Sequence, residues 1–292
     1  MIFIHGLNLI NSYLGKKINL SHCKVLVFSE AIAYQGLSKY FYSLNNDTGI
    51  RPDCNVVISR CDAKDFMIAS KPVIETPTSR YYELFLKSGE YTGFSDQVGA
   101  YTFYSAMTSS TYDAFGILGG VGQNQSNSIQ SDYTNIDNRY KAGELPKSEA
   151  GIENLGLAVF KNDKLVGELN AMETICHLMV SSELKNCILT IPNPFELGES
   201  IDISIELMKK THHTVSMING SAYIKTKIYL KAYGLSASNG IDYSSKENLA
   251  LLENFASSYI QAQVSEYLYK TSKEFGSDIA QFGKYAASRI LE

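Results

Sequence analysis

Between Gly156 and Thr174 the chain reads GLAVFKNDKLVGELNAMET: two short apolar-rich strands closed by Asn162-Asp163, then a helix that opens at Asn170. Asn-Asp suits the positive backbone angles of a two-residue hairpin loop. Asn170 with Glu173 makes a capping-box-like helix start. The stretch therefore dictates strand, tight reversal, strand and helix, and it contains no evident nucleophile, base or metal cage.

The preceding half alternates strands and helices. Leu7, Ile10 and Leu14 form a helical stripe, and His22 to Phe28 is a short strand ending at Ser29, a candidate N-cap. One helix follows, with Ile32, Ala33, Leu37, Tyr40, Phe41 and Leu44 on one side and a stop at Asn45-Asn46-Asp47-Thr48-Gly49. NVVISR is a second strand, and Asp62 caps the helix DAKDFMIAS. Helices continue from Thr76 to Met107 with a break around Gly93, and YDAFGILGG is a third strand. After the polar stretch 123–150 come the hairpin and its helix. Strands then follow at Cys187 to Ile191, Ile201 to Lys209 and Ala222 to Tyr233, the last two alternating as half-buried antiparallel strands do.

From Ser245 a stripe of Leu249, Leu252, Ala256, Ile260, Val264 and Leu268 holds for about six turns, roughly 40 Å of helix that must lie across the sheet. A break at Gly276-Ser277-Asp278 precedes a shorter helix through Ile279, Phe282 and Tyr285. These patterns predict an α+β, multi-domain protein with mixed sheets packed by helices, its C-terminal domain an antiparallel sheet crossed by a long helix. The expected division is an N-terminal α/β region over 1–122, a polar linker over 123–150 and a C-terminal domain over 151–292.

Composition narrows the function classes. The 292 residues suffice for about two domains with their own cores. Apolar residues at 45% and charged residues at 19% describe a globular chain, and a net charge of -4 gives no overall pull toward phosphate backbones. The sequence offers no basic run with interleaved aromatics, its tyrosines being scattered over core stripes and loops, so nucleic acid is not expected as a partner. No apolar stretch approaches the roughly 20 residues that a membrane span requires. The start, MIFIHGLNLINSYLGKK, lacks a charged n-region and a small-residue cleavage site. Five cysteines, Cys23, Cys54, Cys61, Cys176 and Cys187, are odd in number and irregularly spaced, which points to buried thiols rather than a disulfide framework.

Candidates for chemistry each meet a simpler account. GILGGVGQ is glycine-rich, but neither Lys-Ser nor Lys-Thr follows it as a phosphate cradle requires. His212-His213 is expected as a loop pair without a third ligand. Cys176-His177 lies inside the capped helix, where neighbours diverge by roughly 100° and form no nucleophile-base dyad. His22-Cys23 meets the same objection, although His22 could reach Glu30. Asp62 with Asp65 fits a helix's first turn, and Glu149 with Glu153 a solvated linker. No catalytic, cofactor-binding or metal-ligating residue is therefore assigned, and no cofactor is expected.

The order of elements, ending in KEFGSDIAQFGKYAA, resembles the Ger(x)C family, the C subunits of spore germinant receptors. The resemblance is carried by GLAVFKNDKLVGELNAMET, by Ser277-Asp278-Ile279 with Phe282-Gly283, and by SHCKVLVFSEAIAYQGLSKYFYSLNNDTGIRPDCNVVISRCDAKDF. It runs from about Ile18 to Ile290 and is poor over 100–150. It implies an extracytoplasmic lipoprotein of multi-domain α+β fold, tethered to the spore inner membrane. Such a protein works beside the integral-membrane A and B subunits of a nutrient receptor and brings no enzymatic activity.

The chain departs from the family at three places. No cysteine stands in a lipid-attachment context, Asn46-Asp47 stands where the family has Arg-Asp, and the chain stops at Glu292 without the family's Trp-containing segment and last strand. The resemblance thus implies a chain truncated at both ends, with a C-terminal sheet that presents an unpaired edge. The alternative expectation is a nutrient-binding module in which the polar stretch from Gln123 to Glu149 closes over the ligand.

Overall fold

The structure is a computed structural model that describes residues 3–15, 17–45, 51–71, 78–122, 139–145, 151–219, 221–234, 243 and 245–290. After helix α1 (Phe3–Leu14) the chain lays down β1 (Val25–Ser29) and β2 (Asn55–Ser59), which pair in parallel, and later β3 (Phe115–Val121), parallel to β2. Between them run α2 (Glu30–Gln35), α3 (Ser38–Asn45), α4 (Ala63–Ala69), α5 (Thr78–Phe85), a 3₁₀ turn (Leu86–Ser88), α6 (Gly89–Thr92) and α7 (Ala100–Thr108). The parallel strands are covered on both faces, which is why NVVIS and FGILGGV carry almost no polar side chains. On one face Val56, Ile58 and Leu118 pack under Leu37, Phe41 and Phe103; on the other, Val57 and Ile117 pack under Phe66, Tyr82 and Leu86.

The hairpin strands β4 (Ile152–Lys161) and β5 (Lys164–Leu169) complete this sheet in the order β1-β2-β3-β4-β5. β4 runs antiparallel to β3, Phe115 opposite Val159 and Val121 opposite Ile152. The unit expected to open the C-terminal domain is thus hydrogen-bonded into the sheet of the N-terminal half. Residues 123–138 and 146–150 of the expected linker lie outside the described residues. Residues 139–145 are packed in place: Ala142 is fully buried, and its N–H donates to the Leu155 carbonyl at 2.9 Å.

β4 is also where the cores divide. Ala158 and Phe160 face the core of α2, α3 and α7, while Leu157 and Val159 face a second core. That core is closed by α8 (Ala171–Ser181), by the antiparallel sheet β6 (Cys187–Pro192), β7 (Ser200–Ile218) and β8 (Ser221–Gly234), and by the 24-residue α9 (Lys246–Tyr269). A π-helical turn (Lys270–Glu274) and α10 (Phe282–Ile290) end the described chain.

Three local expectations need correction. The single helix from Ile32 to Leu44 is two, because Gly36 at φ 112° breaks it where Asp163 packs against the backbone; a Cβ at Gly36 would lie 2.6 Å from an Asp163 carboxylate oxygen. The strand expected to end at Lys209 continues to Ile218, so His212 and His213 lie in β7, opposite Lys227 and Thr226 of β8, and not in a loop. Two register shifts between Leu207 and His212 let the ribbon extend beyond the helices that cover its base.

Candidate functional site

The hairpin turn is where the two halves of the chain meet. Asn162 adopts φ 52°, the left-handed conformation that a short Asn-Asp turn needs. From the N-terminal half, the Leu37 N–H donates to the Asp163 carbonyl at 2.9 Å and the Ser38 N–H to the Asp163 carboxylate at 3.3 Å. Asp113, just before β3 and only 6% exposed, accepts from Lys161 Nζ at 2.9 Å, from the Asn162 N–H at 3.2 Å and from the Asp278 N–H at 2.8 Å. Its own N–H returns a bond to the Asp278 carbonyl at 3.1 Å.

The C-terminal segment closes the junction. The Asp278 carboxylate accepts from the Phe282 and Gly283 N–H groups at 2.9 and 2.6 Å, which starts α10, and Ser277 Oγ donates to the Phe160 carbonyl at 2.7 Å. Burial and the nearby Asp113 raise the Asp278 pKa against the pull of those donors. Close approach explains two glycines: a Cβ on Gly283 would strike the Thr111 carbonyl, and one on Gly167 would strike the Phe275 ring. The motif residues 156–174, 277–279 and 282–283 thus converge on one junction although more than a hundred residues separate them.

A second tie lies at the start of α8. Both capping-box bonds form, Glu173 N–H to Asn170 Oδ1 at 2.9 Å and Asn170 N–H to Glu173 Oε2 at 2.8 Å. The same Glu173 accepts from Lys270 Nζ at 2.8 and 2.9 Å, which fixes the end of α9 to the start of α8. Deeper in, His177 Nδ1 and the Tyr267 hydroxyl are 2.8 Å apart, both fully buried. Burial pushes His177 down to about 4 and raises Tyr267, so both stay neutral near pH 7. Cys176 is buried beside it with its thiol pKa raised, which makes it a core residue and a poor nucleophile.

The remaining candidates disperse. Cys23 and Cys54 precede adjacent parallel strands, and their sulfurs lie 3.4 Å apart. The bond from Cys54 pulls the half-buried Cys23 down to about 7, while Cys54 is raised. Cys187 is pushed up to about 12 by burial. In GILGGVGQ the glycines serve packing, since a Cβ on Gly119 would lie 2.8 Å from Val57 and one on Gly120 would strike Ala142. Glu149 lies outside the described residues, and Glu153 accepts from the Gly143 N–H at 2.5 Å. Among the described residues no group of three or more His, Cys, Asp or Glu could hold a metal ion, and no helix is long and apolar enough to cross a membrane.

One cleft was not anticipated. Ser29, Glu30, Ala31, Tyr34, Arg60, Cys61 and Asp62 line about 290 Å³ at the carboxyl ends of β1 and β2, the edge where open α/β sheets bind small ligands. Arg60 is held there by the Ala142 carbonyl at 2.9 Å, Glu144 at 3.1 Å and Glu168 at 3.4 Å. The only sequence signal for the cleft is that both strands end in a polar run, Ser-Glu and Ser-Arg-Cys-Asp.

A five-stranded mixed sheet, joined through its hairpin to a three-stranded antiparallel sheet under a long helix, defines the class as an α+β protein with the fold of the GerBC type. The chain superposes on the crystal structure of the GerBC protein with a TM-score of 0.56, over 93% of this chain and 70% of that one, at 18% identity. It belongs to the family described as spore germination B3/GerAC like, whose C-terminal model matches residues 155–290 and whose N-terminal domain model matches residues 3–116. YfkR of Bacillus subtilis (strain 168), a protein named for spore germination, is 22% identical over 241 residues, 82% of this chain. The chain spans 56% of the length of that relative.

Proposed function

We propose that this chain is the core of a non-catalytic C subunit of a nutrient germinant receptor. On this reading it takes part in spore germination through contacts with integral-membrane A and B subunits. In its full-length form a lipid anchor holds it at the extracytoplasmic face of the spore inner membrane. The observation that carries the reading is where the family motifs go: Gly156–Thr174 and Ser277–Gly283 build a buried junction that couples the two halves. A subunit that passes a conformational state between partners needs such a coupling.

Co-purification of the full-length, lipidated protein with the two membrane subunits tests the proposal. Retention of all three in detergent is expected, and absence of any association overturns it.

The cleft at Arg60 favours a second reading, a small-molecule binding module, because its carboxylates and its guanidinium face one small space. Calorimetry against amino acids and sugars separates the two readings: a saturable heat that Arg60→Ala abolishes supports the module, and flat traces remove it.

A further inference from the structure

β8 reads YIKTKIYLKAY from Tyr223 to Tyr233, and every second residue is Tyr or Lys: Tyr223, Lys225, Lys227, Tyr229, Lys231 and Tyr233. Alternate residues of a strand share a face. The intervening set points inward, where Ile228 and Leu230 pack on the core of α8 and α9, and Thr226 Oγ1 bonds His213 at 3.0 Å. The Tyr/Lys set lies on the opposite, outward face. The expectation that no basic run with interleaved aromatics exists is thereby corrected: the run has a period of two and is contiguous only on the folded strand.

The charge on this ribbon is one-sided. Residues 207–234 contain Lys209, Lys210, Lys225, Lys227 and Lys231 and no Asp or Glu, in a chain of net charge -4. At the base of the ribbon Glu206 faces Lys231 at 3.8 Å and accepts from the Tyr233 hydroxyl at 3.3 Å. Farther out, the cross-strand partners of Lys225 and Lys227 are Thr214 and His212, and among the described residues neither lysine forms an ion pair. The tip is apolar and exposed, with Met217 at 53%, Ile218 at 48% and Tyr223 at 54%.

We propose that the outward face of the β7–β8 ribbon docks on an anionic phospholipid bilayer. Lys225 and Lys227 lie over the headgroups, and Ile218 and Tyr223, which share their face at the tip, reach the acyl boundary. Charge complementarity selects an anionic partner, and tyrosines beside an apolar tip match the headgroup level of a bilayer. The eleven residues from Tyr223 to Tyr233 extend about 36 Å, a stripe long enough to meet a surface at several points. Addition of a further strand to the edge of β8, which is unpaired among the described residues, is disfavoured, because lysines along an edge resist such pairing. The inference requires neither a lipid anchor nor partner subunits, so it can fail without affecting the receptor reading.

The test is sedimentation of the full chain with vesicles of phosphatidylcholine alone and of phosphatidylcholine mixed with phosphatidylglycerol. Binding to the mixed vesicles, weakened by added salt, is expected. It should fall at least about tenfold in Lys225→Glu/Lys227→Glu, whose unfolding midpoint stays that of the parent. Tyr223→Ser should weaken binding less and at every salt concentration. No sedimentation with the mixed vesicles, equal sedimentation with both kinds, or an unaffected double variant would each overturn the inference. So would capture by immobilised poly-glutamate without vesicle binding, which would assign the stripe to an acidic polypeptide.

Discussion

Two hairpins of this protein turn on an asparagine at nearly the same backbone angle, Asn162 at φ 52° and Asn219 at φ 51°, yet they live in opposite surroundings. The first is enclosed: Leu37 and Ser38 at the start of α3, Asp113 just before β3 and Ser277 before α10 all bond to it, and Gly36 and Gly167 lack side chains so that neighbours can approach. The second projects from the base of its sheet with lysines and apolar side chains exposed. A turn sequence therefore fixes a reversal and says nothing about what covers it. Coverage comes from residues distant in sequence, and it separates a buried junction from an exposed ribbon.

The largest expected contrast comes from polar contacts. Asp113→Ala leaves the Asn162 and Asp278 N–H groups and the Lys161 ammonium without their shared acceptor and should cost about 3–5 kcal/mol in denaturant unfolding. The matching change on the ribbon, His212→Ala, should stay within about 0.5 kcal/mol. Equal costs would erase the distinction between the hairpins.

Next is acid sensitivity. His177 has a folded pKa of about 4 against an ordinary 6.5, so the unfolded chain binds more protons between those values. Its contribution is complete above pH 6.5 and is lost as pH falls toward 4, about 3 kcal/mol in all. Unfolding curves across that range should show the loss, and His177→Gln should flatten it. The ribbon's His213 is shifted the same way by burial but is only half-buried between the Phe282 and Tyr285 rings. Its replacement should change the slope less.

Asn170→Ala removes one arm of the capping box and should cost about 1 kcal/mol. Intact stability combined with lost receptor assembly would instead give Asn170 a role in contact with a partner. The smallest effect concerns the turns themselves. Glycine adopts positive φ freely, so Asn162→Gly and Asn219→Gly should each shift stability by about 0.5 kcal/mol or less, and by similar amounts. A large cost at position 162 alone would show that the Asn162 side chain, and not only its backbone, holds the junction.

Much of the fold was legible because its signals are local. The Asn-Asp turn, the Asn170–Glu173 box, the helix start at Ser245 and the alternation of β8 each lie within a few residues, and the structure reproduces them. Long-range pairings were not legible. Nothing around Asp113 marks it as the acceptor for a hairpin 49 residues later and a loop 165 residues later. The helix break at Gly36 depends on Asp163, and the apolar spacing continues through it. The Tyr/Lys stripe lay in the sequence with a period of two, and a search for consecutive basic residues passes over it. The cleft at Arg60 forms from the ends of two strands and is invisible until they are side by side.

Hydrogen exchange read by mass spectrometry on the full chain, with and without Asp113→Ala, tests the central claim most directly. The account predicts that residues 156–169 and 275–283 exchange as one slow unit, that the substitution accelerates both together, and that residues 214–226 exchange faster in both proteins. Exchange at 156–169 as fast as at 214–226, or acceleration of one junction segment without the other, would contradict it.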